Sequence, residues 1–419
     1  MEAFSLKTPI KGVLKNVLDS YPGGQLVSEA LQNAEDIGAS EFTLLLDLRT
    51  HGAEVDSSLR GPAFLLIDDG TGFGDREWTS LMNLHSSEKR NAPAEIGRYG
   101  MGSRSYFHYS DVTTVISRGK YVGVDPLEVV TSHSRSRGGW KVDLQNPAAP
   151  RQLVEEARQL AELPSEVTGD FDAANRGSLF RLPLRRAEDV AREEANEDAH
   201  GALGPEFTVE KAESQLQGWA EQLPKLLLFV ASVRRLSIWR WANGAAAPER
   251  LALVEKSYVV GAPYARLPSL IPEAAKQTYK TLREHVLSLR EAECSKLSEI
   301  NWAVINLGSG SSGSRKESKL WLVAQRFDAV TPALKDALRD GCEGVPVVGL
   351  ALPMSDEPLA GSPFCYLPIG GQGSGLPVHL HGSFALMPNR RDLWLPSADL
   401  DGKHQVRPRL EPCCALRLL

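Results

Sequence analysis

The segment Glu29-Ala-Leu-Gln-Asn-Ala-Glu-Asp36 is the first of three short motifs that come in a fixed order near the start of the chain. The second is Asp68-Asp-Gly-Thr-Gly72, and the third is Gly97-Arg-Tyr-Gly-Met-Gly102. Each motif alone is a weak signal, because acidic helix faces and glycine turns are common. Together they supply a metal ligand, a general base, an adenine reader (a group that recognises the base) and a glycine-rich loop that binds phosphate. These are the groups that ATP hydrolysis requires.

The first motif lies in a predicted amphipathic helix that Gly38 terminates. Glu29, Asn33 and Asp36 stand at positions i, i+4 and i+7 and therefore share one face of this helix. An Asn amide oxygen suits Mg²⁺, which takes few protein oxygens beside water and phosphate. We predict that Asn33 binds Mg²⁺, that Glu29 deprotonates the attacking water and that Asp36 lies on the same cofactor-facing side. The alternative is a solvated acidic helix face.

The second motif follows an apolar predicted strand, Ala63–Asp68, so the Asp68 carboxylate emerges where the strand ends. Gly70 and Gly72 allow the backbone to turn tightly beside a flat ring. A buried carboxylate at this place selects the adenine amino group, because the wrong base leaves it unpaired. The alternative is an ordinary Asp-Gly turn between a strand and a helix.

The third motif precedes a predicted helix that begins at Ser103, and Gly97, Gly100 and Gly102 would expose backbone N–H groups to phosphate there. The polar segment 85–93 is predicted to close over the nucleotide as a lid. Lys89 in this segment is a candidate phosphate contact, with a solvated charge run as the alternative.

Composition limits the other classes of function. The chain has 419 residues, a formal net charge of −6 and 42% hydrophobic residues, which predicts two or three domains and disfavours a broad nucleic-acid surface. Five cysteines lie far apart or directly adjacent, unlike a disulfide framework or a paired zinc site. A signal peptide, a membrane span and the phosphate-binding loop of P-loop ATPases are not recognisable. We therefore expect a cytoplasmic protein, with the nucleus as the alternative, and no membrane partner.

Patterns along the chain predict four segments. Residues 1–186 form the nucleotide domain, residues 187–205 a helical hinge, and residues 206–403 a second mixed α/β unit. A glycine-rich string, Gly308-Ser-Gly-Ser-Ser-Gly313, is interpreted as a hairpin loop because no helix pattern follows it. Residues 404–419 are proline-broken and are expected to be an atypical, truncated terminus.

The ordered motifs resemble the Bergerat ATP-binding fold of the GHKL superfamily, which includes gyrase, heat-shock chaperones, histidine kinases and MutL proteins. Within it, the sequence is most similar to the sacsin family. The resemblance implies an α/β fold of the α+β two-layer sandwich type, followed by a smaller mixed α/β domain. It is carried by Gly23-Gly-Gln25, Leu31-Gln-Asn-Ala-Glu-Asp36, Ile96-Gly-Arg-Tyr-Gly-Met-Gly102, His108, Asp111, Gly177-Ser-Leu-Phe-Arg-Leu-Pro-Leu-Arg185, and, in the second unit, by Phe364–Pro368, Gly375–His379 and Phe384–Trp394.

The resemblance implies the same roles for Glu29, Asn33, Asp68 and the glycines of the third motif. Ser178 stands where the superfamily has Thr beside adenine, so the hydroxyl is retained and a methyl group is lost. By analogy with related chaperones, Arg390 or Arg391 would reach the terminal phosphate from the second unit, although a basic turn is an equal alternative.

The resemblance therefore implies a slowly hydrolysing, Mg²⁺-dependent ATPase with ATP as cofactor. Nucleotide-driven lid closure would change the binding of a protein client or co-chaperone. The sequence leaves undecided whether the chain forms a homodimer. A nucleotide-binding scaffold, or pseudo-ATPase, without turnover is the main alternative. A DNA-acting GHKL ATPase is disfavoured by the acidic balance, and a histidine kinase by the absence of a recognisable phosphoacceptor helix ahead of the motifs.

Overall fold

The computed structural model describes residues 10–20, 23–82, 103–130, 132–133, 138–195, 202–259, 301–310, 317–327, 347–370, 373–382 and 384. Helices and strands are mixed along its first half. The helices are α1 (Ile10–Ser20), α2 (Leu26–Asp36), α3 (Asp75–Met82), α4 (Arg151–Leu160), α5 (Ser165–Thr168), α6 (Ala187–Ala195) and α7 (Val209–Leu226), with a 3-10 helix at Ser103–His108.

The strands of these residues join into one mixed sheet. They are β1 (Glu41–Asp47), β2 (Ala63–Asp68), β3 (Thr113–Ser117), β4 (Lys120–Asp125), β5 (Gly138–Asp143), β6 (Ser178–Pro183), β7 (Arg235–Trp241), β8 (Glu249–Tyr258), β9 (Asn301–Gly310), β10 (Glu317–Phe327), β11 (Val347–Pro353), β12 (Pro363–Cys365), β13 (Leu367–Pro368) and β14 (His379–Gly382). Their order across the sheet is β13-β12-β14-β11-β10-β9-β8-β7-β1-β2-β6-β3-β4-β5.

In the sheet, strand β1 lies between the next strand of the chain and a strand that is far away in sequence. It pairs antiparallel with β2 and parallel with β7, with Leu44 opposite Leu66 on one side and opposite Ile238 on the other. The sheet is therefore continuous across the predicted hinge at residues 187–205. The predicted domain boundaries stay predictions.

Alternate residues of the central strands build two separate cores. Leu44, Phe64 and Phe180 belong to a core that also takes apolar residues of α1, α2 and α7. Leu45 and Leu65 point to the opposite face, where Val167 of α5 packs. This period of two is the geometry of a strand buried on both faces. The predicted mixed α/β class is confirmed, and the structure adds helices on the second face.

Several predicted elements are found within two residues of their expected bounds. The strand predicted at Ala63–Asp68 is found with those bounds, and helix α2 covers the first motif. Strands β9 and β10 pair antiparallel, as the hairpin interpretation requires. The first three residues of the glycine-rich string, 308–310, belong to β9 and not to a loop, and its other residues lie outside the described ranges. None of the helices in the described ranges is long and apolar enough to cross a membrane.

Candidate functional site

Helix α2 brings the first motif against the central sheet. Leu26, Ala30, Leu31 and Ala34 fill the core, which fixes the rotation of the helix. Glu29 is only 4% exposed and Asp36 8%, while Asn33 is half-buried. The two carboxylates are therefore buried in the protein and do not form a solvated acidic face.

The second motif is attached directly to the end of α2. The backbone N–H of Thr71 donates to the carbonyl of Ile37, with an N to O distance of 3.1 Å. A Cβ atom at Gly70 would lie 2.6 Å from Cγ1 of Ile37, so any other residue here would force the Ile37 side chain to move. Gly72 has φ +71°, a left-handed conformation that glycine adopts without strain. The turn predicted from Gly70 and Gly72 thus serves to bring the end of β2 beside α2.

Asp68 and Ser178 are brought together by strand pairing. They are direct partners in the antiparallel ladder between β2 and β6, and Ser178 hydrogen-bonds the Asp68 carboxylate through its hydroxyl and backbone N–H. The N–H of Gly70 donates to Oδ1 of Asp68 over 2.9 Å. Burial raises the pKa of Asp68 to about 7, with a smaller contribution in the same direction from the neighbouring Asp69 charge and with these hydrogen bonds opposing both. A carboxyl group poised near neutrality is common at functional sites and uncommon at a plain turn.

The neighbouring Asp69 has a different, structural role. Its Oδ1 accepts the N–H groups of Ser40 and Glu41 at 2.7 and 2.8 Å. Its Oδ2 accepts the Ser40 hydroxyl at 2.5 Å and Nη2 of Arg176 at 3.2 Å. Asp69 therefore fastens the start of β1 to the end of β2, and Asp68 is the carboxylate of this pair that faces the α2 side of the sheet.

Tyr106 of the 3-10 helix lies among the predicted site residues. Its side chain is 1% exposed, and its hydroxyl oxygen lies 3.5 Å from Nδ2 of Asn33. Burial raises the pKa of Tyr106 strongly, and the Glu29 and Asp68 carboxylates raise it further, while Asn33 lowers it. The phenol therefore stays protonated, and its hydroxyl lies beside Asn33, within the electrostatic influence of Glu29 and Asp68. Neither Tyr106 nor its role was predicted from the sequence.

The structure thus brings together the predicted residues of the first two motifs and Ser178. The other predicted site residues fall outside the described ranges. They are Lys89, Gly97, Gly100, Gly102, Arg390 and Arg391. For these the predicted roles stay predictions.

Comparison with known proteins gives a consistent family signal. A sequence profile of the Sacsin domain family matches residues 7–252, which is more than half of the chain. Sacsin of Homo sapiens is 27% identical over 431 residues, covering 92% of this chain and 8% of that protein. The chain thus spans only a small part of the length of the curated relative it matches. A crystal structure of the N-terminal domain of a DNA repair protein aligns over 92% of both chains at 10% identity and a TM-score of 0.38.

Proposed function

The chain belongs to the Sacsin domain family, and on this premise we propose that α2, the end of β2 and the start of β6 form a Bergerat-type ATP site. Asp68 is the adenine reader in this proposal, with Ser178 beside it. Asn33 binds Mg²⁺, and Glu29 is the general base. The observation that carries the proposal is the buried Asp68 carboxylate, held next to Ser178 and facing the helix that bears Asn33 and Glu29.

The chemistry of the donor groups fits both parts of Mg-ATP. The Asn33 amide offers a hard oxygen atom of the kind that Mg²⁺ prefers, and the Asp36 carboxylate follows it on the same helix. The bound metal would neutralise charge that develops on the transferred phosphoryl group. Asp68 offers a buried acceptor for the adenine amino group, and its hydrogen bond with Gly70 fixes the carboxylate orientation. The Tyr106 hydroxyl accepts a hydrogen bond from Nδ2 of Asn33 over 3.5 Å, which would leave the amide oxygen available to a cation.

At the level of the molecule, we propose a chaperone-like module that hydrolyses ATP slowly. Nucleotide state would switch its affinity for a protein client or co-chaperone, and Arg390 or Arg391 would assist hydrolysis. The second candidate is a scaffold that binds nucleotide without turnover. It requires only the adenine pocket, in which Asp68 and Ser178 are strand partners, and it needs no general base.

Asp68→Asn tests the adenine site. The change keeps the shape and the acceptor for Gly70 but places an N–H₂ group toward the adenine amino group. We expect wild-type protein to bind Mg-ATP and the variant to bind roughly 10- to 100-fold more weakly, the effect of losing a hydrogen bond to a charged group worth about 1.5–3 kcal/mol. Isothermal titration measures both. Asp75→Asn is the matched control, since that carboxylate is 98% exposed and pairs at the surface with Lys120. Equal binding by wild type and Asp68→Asn would show that adenine is read elsewhere.

The raised pKa of Asp68, about 7, predicts a pH-dependent affinity. Below this pH the carboxyl is protonated and is a poorer acceptor, so affinity should rise with pH up to about 7 and level off above it. The limiting slope is about tenfold per pH unit. Phosphate groups titrate in the same range, but that contribution is shared by wild type and Asp68→Asn. The ratio of the two Kd values between pH 5.5 and 8.5 therefore reports Asp68 alone, and a constant ratio contradicts the prediction.

A further inference from the structure

Glu35 lies between the predicted site residues Asn33 and Asp36 on α2, yet it faces a different part of the molecule. Its side chain is completely buried and accepts three consecutive backbone N–H groups. Oε1 accepts from Ala231 at 2.7 Å and Ser232 at 2.8 Å, and Oε2 accepts from Ser232 and Val233, both at 3.0 Å. We call residues 227–234, which connect α7 to β7, the bridging segment.

Lys256 of β8 holds the same bridging segment through its carbonyl groups. Its Nζ donates to the carbonyl of Leu227 over 3.1 Å and also to that of Val230. The Lys256 charge lies close enough to favour the Glu35 carboxylate, although burial raises the pKa of Glu35. The segment is thus fixed by an anion on its N–H side and by a cation on its carbonyl side. Hydrogen bonds to charged groups in a buried site are the strong ones, so the segment must follow any displacement of α2.

Phe229 connects the bridging segment to the far edge of the sheet. Its ring is 1% exposed and stacks on His381 of β14, with centroids 4.8 Å apart and an interplanar angle of 28°. It also meets the edge of Phe364 in β12, with centroids 5.0 Å apart. The same eight-residue segment therefore contacts the nucleotide helix at one end and β12 and β14 at the other.

We propose that Glu35 is a positioning residue that couples α2 to β12 and β14 through the bridging segment. Nucleotide binding on α2 and the packing of Phe229 on His381 are then thermodynamically linked. This inference rests on the proposed nucleotide site. Reciprocity follows from the linkage: a change at Phe229, which is not part of the proposed site, alters ATP affinity, and the alteration requires Glu35.

A double-mutant cycle on the full chain tests the linkage, with Glu35→Gln, Phe229→Leu and the combined variant. Gln offers one acceptor oxygen and turns an N–H₂ group toward the N–H groups of the segment. We expect Phe229→Leu to weaken Mg-ATP binding at least fivefold in the wild-type background and less than twofold in the Glu35→Gln background. Glu213→Gln is the control, because Glu213 also joins α7 to β7, through Arg240, by a contact separate from the one between Glu35 and the bridging segment.

The backbone N–H of Leu380, which donates to the carbonyl of Ser362, gives a second readout at the far edge. Mg-ATP should slow its hydrogen exchange in wild type and in Glu213→Gln, but not in Glu35→Gln. If Glu35→Gln does not fold, Lys256→Met replaces it in the same cycle. Additive effects on ATP affinity, with no response at Leu380 in wild type that binds ATP, overturn the linkage alone. Failure of wild type to bind ATP overturns the nucleotide site and the linkage with it.

Discussion

Glu29→Gln is expected to lower the rate of ATP hydrolysis by roughly 10²–10⁴-fold, the usual contribution of a positioned general base, while Mg-ATP still binds. Glu29 is 4% exposed in the first half of α2, one turn before Asn33. The proposed base and the proposed metal ligand are therefore carried by one rigid element, and Gln keeps the shape of the side chain without accepting the proton. Single-turnover hydrolysis and titration on the same preparations separate the two effects.

The control for this prediction is Glu162→Gln, which neutralises a carboxylate that is 70% exposed and paired only at the surface with Arg158. Its turnover should match wild type. Hydrolysis by Glu29→Gln at the wild-type rate contradicts the general-base role. If wild-type protein binds Mg-ATP but does not hydrolyse it, the enzyme proposal is wrong and the nucleotide-binding scaffold is the function supported. The same measurements therefore decide between the two candidate functions.

Local sequence patterns predicted those helices and strands that are determined by residues close together in the sequence. Helix α2 and strand β2 follow from a helical apolar stripe and from a short apolar run ended by an Asp-Gly turn. The position of Asp68 at the end of a strand was predicted on the same basis. The meeting of Asp68 and Ser178 was implied by the family resemblance, since residues so distant in sequence pair only through the register of β2 and β6.

Long-range partners could not be predicted from such patterns. Glu35 belongs to an acidic stretch whose spacing is compatible with a solvated face, and its partners at 231–233 lie almost 200 residues away. Tyr106 follows the glycine motif in a stretch that predicts a helix but gives no sign that its hydroxyl meets Asn33. The parallel pairing of β1 with β7 likewise joins two segments that sequence reasoning assigned to different domains. In each case tertiary packing decides what the local pattern leaves open.

Arg185→Met is the change for which we expect the largest loss of stability. The guanidinium is completely buried, and its Nε donates to Oδ1 of Asp111 at 2.6 Å. Its Nη2 donates to the carbonyl of Phe107 at 2.5 Å, so the same side chain caps the 3-10 helix that carries Tyr106. Without Arg185 the buried Asp111 carboxylate keeps the repulsion of Glu193, whose pKa burial and Asp111 raise to about 7. Breaking a buried ion pair by removing one partner costs about 3–5 kcal/mol.

A surface arginine offers a matched control for Arg185→Met. Arg158 is 60% exposed and pairs with Glu155 and Glu162, which are 39% and 70% exposed, so Arg158→Met should leave the free energy of unfolding close to that of wild type. The double variant Arg185→Met/Asp111→Leu replaces the whole pair by apolar side chains and should recover at least half of the loss, because the uncompensated charge is gone. Urea unfolding measures all three. If Arg185→Met unfolds at the midpoint of Arg158→Met, the pair does not hold the 3-10 helix, and Tyr106 must be positioned by its ring contacts with residues such as Phe180.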